Sequence, residues 1–485
     1  MKPWDLAILG GGTAGMVAAI GAAGTGARVL LVEQDRLGGD CLYTGCVPSK
    51  SLIAAAQRVR DARTADEFGV RIGDIQVDFP AVMAHVHDVI AQIEPKDSPD
   101  RLRAEGVEVV IGRGQFTGPD QLDVDGQSHR FRHALVATGS EPTIPAVPGL
   151  PEADPLTSDS IWNLTELPER LLVMGAGRVG CELGQAFQRL GSQVTMACVD
   201  DRALHMEPPM VSRLIGRRLL DEGIDLRLST TFEHVDGDTG KALLATDGVT
   251  DTVPFDRILV ATGRRARTAG IGLDTTGVEL DGAGNVVVDE YLRTTAKRIW
   301  AAGDLTGRMP FTHIAGAEGS TVVMNALFGL RRKMRYDRLP WVLFTDPEVA
   351  RIGLSFAEAH DRYGHNAGER IFHLDELDRA LTARKTEGFA QLVTGPRGRI
   401  VGATIVGERA GESIAEVAAW MANRGSITRF SQTVHAYPTF SEAPFWAAME
   451  DIRRRLRTPG VRAVTKSVLG LGRLLDRKDD ERPSS

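Results

Sequence analysis

The feature that most restricts this chain is a glycine loop that occurs twice, each time between an apolar strand-like run and a helix-like run. Residues 5–9 (Asp-Leu-Ala-Ile-Leu) lead into Gly10-Gly11-Gly12-Thr13-Ala14-Gly15, an Ala-rich run to Gly24, and a second strand-like run, Arg28 to Val32, ending in Glu33. Glycines at this spacing let the backbone turn tightly and approach a pyrophosphate, which the positive end of the following helix attracts. Glu33, about 20 residues further on, can accept hydrogen bonds from ribose hydroxyls. The loop alone could be a structural turn. Strand, loop, helix, strand and acid in that order point to dinucleotide binding. The order returns as Arg170–Met174, then Gly175-Ala176-Gly177-Arg178-Val179-Gly180, a helix to about Leu190, and a strand from Gln193 to Val199. The fold class expected is therefore α/β, with two Rossmann-like dinucleotide-binding domains.

Two similar segments, Leu135-Val136-Ala137-Thr138-Gly139 and Leu259-Val260-Ala261-Thr262-Gly263, read as apolar strands that end where backbone can approach a ligand. A Pro-rich stretch at 142–155 reads as the crossing between the modules. Beyond about residue 338 the pattern changes to short strands and helices, including Phe389–Val393 and Gly402–Val406, as expected of a separate α+β domain. A chain of 485 residues is too long for one core, so several domains are expected in any case.

Composition excludes several function classes. Hydrophobic residues at 42% and charged residues at 25% fit a soluble globular protein. A net charge of −7 with no basic domain argues against nucleic acid as a partner. No run of about 18 apolar residues is present, and Met-Lys-Pro-Trp-Asp enters the first strand without a signal-peptide core, so a cytoplasmic location is expected. The tail from Ile452 is rich in Arg and Lys. Its apolar positions Val461, Val464, Val468, Leu471, Leu474 and Leu475 fall at helical spacing. A surface helix packed on the body or on a partner subunit is one reading, and weak contact with an anionic membrane surface is the other.

Four cysteines in so long a chain are no disulfide framework. Two of them lie in Gly38-Gly39-Asp40-Cys41-Leu42-Tyr43-Thr44-Gly45-Cys46-Val47-Pro48-Ser49-Lys50. At this spacing they can share one helical face and close a disulfide, with Pro48 in an early helical turn. A nearby helix N-terminus would favour the thiolate. A metal role would need further ligands, which no neighbouring Cys or His supplies, so no metal site is expected. An inert structural pair is the remaining alternative. Cys181 and Cys198 read as small buried side chains.

This segment resembles the active site of the pyridine nucleotide-disulfide oxidoreductases, the family that includes glutathione reductase, dihydrolipoamide dehydrogenase and mercuric reductase. The similarity runs from the first glycine loop to about residue 450. It implies FAD and NADH or NADPH as cofactors, and a C-terminal α+β dimerisation domain opening at Leu339-Pro340, hence a homodimer. The implied division is 1–148 and 269–337 for FAD, 149–268 for NAD(P), 338–452 for dimerisation, and 453–485 as a basic amphipathic tail. By the same resemblance Cys46 would be the flavin-facing thiolate, Cys41 the outer thiol that attacks substrate, and Lys50 and Glu182 a pair beside the flavin. Gly10, Gly12, Thr13, Ala14, Gly15, Glu33, Gly39, Lys50, Thr138, Gly139, Gly303 and Asp304 would hold FAD. Asp304 taken alone could instead cap a helix. Gly175, Gly177, Gly180, Glu182, Asp200, Arg202 and Gly263 would hold the nicotinamide cofactor.

The chain departs from the family at His435-Ala436-Tyr437-Pro438-Thr439-Phe440-Ser441-Glu442. The family places a His before Pro-Thr, forming a general acid/base dyad with a Glu, and here Tyr437 stands in its place beside Glu442. With an ordinary pKa near 10, Tyr is a poor base at neutral pH. His435 lies two positions earlier, suited to a substitute or to packing. Mercuric reductase also carries Tyr there, but it relays its metal through a C-terminal cysteine pair, and residues 466–485 contain no cysteine. The expected activity is electron transfer from NAD(P)H through FAD to Cys41 and Cys46, and on to a small thiol or disulfide acceptor. Alternatives are a quinone or metal-ion reductase and a non-catalytic flavoprotein. Val199-Asp200-Asp201-Arg202 carries both signs of charge, with the two acids favouring NADH.

Overall fold

The computed structural model describes residues 2–480, and within 471–480 the backbone and the Arg473 side chain alone. The chain divides into two compact units, one ending at Tyr336 and the other beginning at Asp337.

In the first unit, strand β1 (Trp4–Leu9) is followed by helix α1 (Thr13–Ala23) and strand β2 (Val29–Glu33). Next come a short helix α2 (Gly39–Tyr43), helix α3 (Cys46–Arg63) and strand β3 (Val107–Ile111). A parallel sheet runs β3-β2-β1 and then Gln127–Val136, with Ile299–Ala301 also paired to that last strand. Its Val- and Leu-rich runs are covered on both faces: Val29 through Val32 are at most 1% exposed. Two antiparallel strands, Gly114–Gly118 and Gln121–Val124, extend the sheet, and Phe116 meets Phe131 edge to face at 5.9 Å.

The second glycine loop lies in a smaller parallel sheet ordered Asp225–Arg227, Gln193–Ala197, Arg170–Met174, Arg257–Val260. The strand expected to reach Val199 stops at Ala197, because its neighbour ends at Met174 directly opposite. Val199 is 70% exposed in the turn that follows. The two closing segments continue into a small ladder in which Ser140–Pro142 pairs with Arg264–Ala266.

The second unit is a five-stranded antiparallel sheet ordered Pro340–Leu343, Glu348–Gly353, Arg399–Gly407, Phe389–Gly395, Gly368–His373. Helices Ala410–Ala422 and Glu442–Leu456 pack against it over a core that includes Ile352, Leu392, Ile405 and Val417.

A final helix spans Pro459–Asp480. Its residues 459–469 are all exposed. The side chains of Leu471, Leu474 and Leu475, and residues 481–485, lie outside the described part. Among the described residues no helix is long and apolar enough to cross a membrane.

Candidate active site

The two glycine loops are near copies. Gly10 and Gly175 have φ of 110° and 109°, where only glycine is unstrained, and each donates its N–H to the end of the neighbouring strand, at Val32 O and Ala197 O. A Cβ on Gly15 would stand 1.9 Å from Gly10 O, and one on Gly180 2.0 Å from Gly175 O, so helix and turn approach closely in both. The middle glycines differ from these. A Cβ on Gly12 or Gly177 would meet nothing within 4 Å, as it would at Gly139 and Gly263. Gly12 and Gly177 sit at the N-terminal ends of α1 and of helix Arg178–Leu190, each leaving an open cradle at a helix N-terminus. Thr13, Ala14 and Gly15 form the first turn of α1. Gly39 presses on the loop, since its Cβ would lie 2.9 Å from Gly12 Cα. Glu33 Oε2 accepts from Gly11 N at 2.6 Å, and Oε1 accepts from Asp35 N at 3.0 Å, which fixes the carboxylate at the mouth of the first cradle. These features fit a dinucleotide at each loop.

The equivalent of Glu33 in the second loop is Cys198, the residue after Ala197. It is 5% exposed, and its Sγ points to Asp200 O at 3.6 Å. Charge at this mouth therefore comes from the turn beyond it. Asp200 pairs with His205 at 3.0 Å, and Arg202 bonds Asp201 at 3.3 Å and His205 O at 2.9 Å.

Cys41 and Cys46 do not share one helical face as expected. The chain breaks at Thr44-Gly45, where a Cβ on Gly45 would stand 2.8 Å from Asp40 O, so Cys41 lies in α2 and Cys46 opens α3. Pro48 is buried in the first turn of α3, where its missing N–H costs nothing. Both cysteines are free, and each influences the other's titration. The neighbouring Cys41 thiol is the largest influence drawing the Cys46 pKa down to about 6. The Thr312 hydroxyl, 3.1 Å from Cys46 Sγ, and the Lys50 ammonium add to it. Cys46 in turn, with burial, pushes Cys41 up. The site thus distinguishes its sulfurs, one poised as thiolate and the other holding the proton.

Lys50, one turn into α3, donates to Glu182 Oε2 at 2.7 Å, and Glu182 lies in the helix after the second glycine loop. A second rung lies seven residues on in each helix: Arg189 donates to Gln57 at 2.6 Å and is paired, fully buried, with Glu222. These rungs hold α3 to the second nucleotide module.

Strand Ile299–Ala301 delivers Gly303 and Asp304 beside the first module. Asp304 does not cap the short helix that follows; its Oδ2 accepts from Ser140 Oγ at 2.8 Å. Thr138 donates to Arg267 O at 2.7 Å. Glu318, 1% exposed, accepts from Gly303 N at 2.6 Å and from the Tyr336 hydroxyl at 2.5 Å, and burial raises its pKa to about 6. Asp40, next to Cys41, is ion-paired to Arg264 and lies 3.4 Å from Arg267. Thr312, Asp40, Arg264 and Arg267 were not legible from the sequence, because the partner of each lies more than 200 residues away.

In the second unit both ring nitrogens of His435 are engaged, one by Glu416 Oε2 at 2.8 Å and the other by Thr433 O at 3.1 Å. Its ring packs against Phe430 and Phe445. Tyr437 is 70% exposed, and its hydroxyl donates to Asp378 at 2.8 Å, a bond that raises its pKa further. Glu442 is buried at the start of its helix and accepts from Thr439 N at 3.0 Å. Among the described residues no group of three His, Cys, Asp or Glu could hold a metal ion.

The chain matches the family model described as pyridine nucleotide-disulphide oxidoreductase over residues 4–319, and that of the family's dimerisation domain over 339–448. It is 38% identical to a mercuric reductase of Streptomyces lividans, covering 91% of this chain and 94% of the relative. It is 33% identical to a dihydrolipoyl dehydrogenase of Chlamydia pneumoniae, covering 92% and 96%. Among solved structures it is similar to LpdA from Mycobacterium tuberculosis, with a TM-score of 0.83, 29% identity, and coverage of 93% of this chain and 99% of that one.

Proposed function

The chain belongs to the pyridine nucleotide-disulphide oxidoreductases, and from that membership we propose that it moves electrons from NAD(P)H to the Cys41–Cys46 pair and on to a disulfide acceptor, which leaves as thiol. The family uses FAD and NAD(P)H, and its dimerisation domain makes this chain a homodimer. FAD, when bound, supplies the relay that passes a hydride's two electrons from the nicotinamide to the cysteines. The first cradle would hold it through Gly10, Gly12, Thr13, Ala14, Gly15 and Glu33, with Gly39, Thr138, Gly139, Gly303 and Asp304. The second, Gly175, Gly177, Gly180 and Gly263, would hold NAD(P)H.

The observation that carries this reading is the setting of Cys46, which opens α3 with Thr312 Oγ1 3.1 Å from its Sγ and Lys50 one turn further along the helix. A hydride equivalent entering a Cys41–Cys46 disulfide breaks the S–S bond and leaves one thiol and one thiolate. The surroundings favour that product, with the proton on Cys41 and the charge on Cys46. Cys41 passes its proton to the departing acceptor sulfur as it attacks the acceptor disulfide, forming a mixed disulfide and releasing the first thiol. The Cys46 thiolate then attacks Cys41, re-forming the Cys41–Cys46 disulfide and releasing the second acceptor sulfur as a thiolate that takes a proton from water. Lys50 supports the negative charge on Cys46 and is itself oriented by Glu182. Asp200 and Asp201 at the second cradle disfavour a 2′-phosphate, and Arg202 is already committed to Asp201 and a carbonyl, so NADH is the preferred donor.

A second reading, reduction of a metal ion or a quinone, draws on Tyr437. A hydroxyl held by Asp378, with its pKa raised, serves thiol exchange poorly as a base, and the Streptomyces relative is a mercuric reductase. Replacing Cys41 by Ser separates the readings. Loss of acceptor turnover with flavin reduction by NADH intact supports the disulfide route, whereas full turnover would reject it.

A further inference from the structure

We propose that the helix Pro459–Asp480 is an interfacial anchor that lays its apolar face on an anionic phospholipid surface. The helix lies beyond the matched dimerisation domain, which ends at residue 448. Its first eleven residues are exposed all round. Val461, Val464 and Val468 repeat at intervals of three and four, forming one apolar stripe, with Val464 and Val468 each 64% exposed. At 3.6 residues per turn Arg462, Lys466 and Arg473 fall on the opposite face. Gly460, Gly470 and Gly472 weaken the helix on its own, and helices of this kind are stabilised chiefly by covering their apolar face.

Charge decides what covers it. No Asp or Glu occurs between residues 453 and 473, in a chain whose net charge is −7. Arg453 and Arg455 turn back to Glu450 and Asp451, but Arg454, Arg457, Arg462, Lys466 and Arg473 make no ion pair among the described residues. A second copy of the helix laid alongside in register would set cations against cations. An anionic lipid surface offers both the apolar layer and the opposite charge, the combination that binds amphipathic helices in the plane of the interface.

The test is co-sedimentation of the full-length, FAD-loaded enzyme with vesicles of phosphatidylcholine alone or of phosphatidylcholine and phosphatidylglycerol in equal parts, alongside sedimentation velocity without lipid. The proposal expects binding to the mixed vesicles only, released by high salt. Arg462→Gln with Lys466→Gln should weaken it about 30-fold, from roughly fivefold per charge. Val464→Asp with Val468→Asp should abolish it, with NADH oxidation retained in both variants. No sedimentation with mixed vesicles, or equal sedimentation with neutral ones, would overturn the proposal. So would a change of oligomeric state in the Val464→Asp, Val468→Asp variant, which would make a second copy the occupant.

Discussion

Lys50 Nζ stands 2.7 Å from Glu182 Oε2, joining the helix that Cys46 opens to the helix that follows the second glycine loop. The two partners act on Cys46 with opposite signs, since the ammonium lowers its pKa and the carboxylate raises it. Lys50→Met should move the alkylation midpoint of Cys46 in the reduced enzyme above about 6, and Glu182→Gln should move it below. Lys50→Met should also slow acceptor turnover roughly tenfold or more through lost charge stabilisation. Alkylation rate against pH, compared with turnover, checks both.

Thr312 Oγ1 lies 3.1 Å from Cys46 Sγ, and its hydroxyl donates to the sulfur when Cys46 is a thiolate. Thr312→Val keeps the shape and removes the donor. A hydrogen bond to a charged group contributes about 1.5 kcal/mol or more, so the Cys46 midpoint should rise by about one pH unit. The same alkylation profile measures it.

On the proposed reading Tyr437 takes the place of the family's base, and Glu442, five residues on, is buried. Tyr437→His should raise reduction of a small disulfide such as oxidised lipoamide by at least about tenfold, because a positioned general base contributes about 100-fold or more. Ferricyanide reduction, which needs no such base, should be unchanged. Steady-state rates with the two acceptors test this.

Glu318 is the buried acid under Gly303, with its pKa raised to about 6 from 4.5. A carboxyl whose folded pKa is raised is stabilising while protonated, so this contribution is full below about pH 4.5 and is lost as pH rises through about 6. The shift corresponds to about 2 kcal/mol. Glu318→Gln can keep the Gly303 bond and offer its amide to Tyr336. Part of the parent's loss is already complete at pH 5, so the variant should gain about 1 kcal/mol relative to the parent between pH 5 and pH 7, read from denaturant midpoints at the two pH values.

The glycine loops were legible because their requirements are local: Gly10, Gly15, Gly175 and Gly180 answer to contacts within a few residues or to the adjoining strand. The cysteine segment was legible as a motif but not as a shape. The break at Gly45 depends on how closely it packs against Asp40 O, which spacing alone does not reveal. Thr312 lies 266 residues from Cys46, and Arg264 lies 224 residues from Asp40, so no periodicity could link them. Tyr437 was legible as a departure, whereas the Asp378 that fixes its hydroxyl was not.

Passage of electrons through Cys41 and Cys46 is read out by anaerobic titration of the oxidised holoenzyme with NADH while its visible spectrum is followed. The first equivalent should produce a long-wavelength thiolate-to-flavin band that is lost on acidification through about pH 6 and is absent in Cys46→Ser. Bleaching of the flavin by that first equivalent, with no such band and no new thiol at Cys41, would contradict electron passage through the pair.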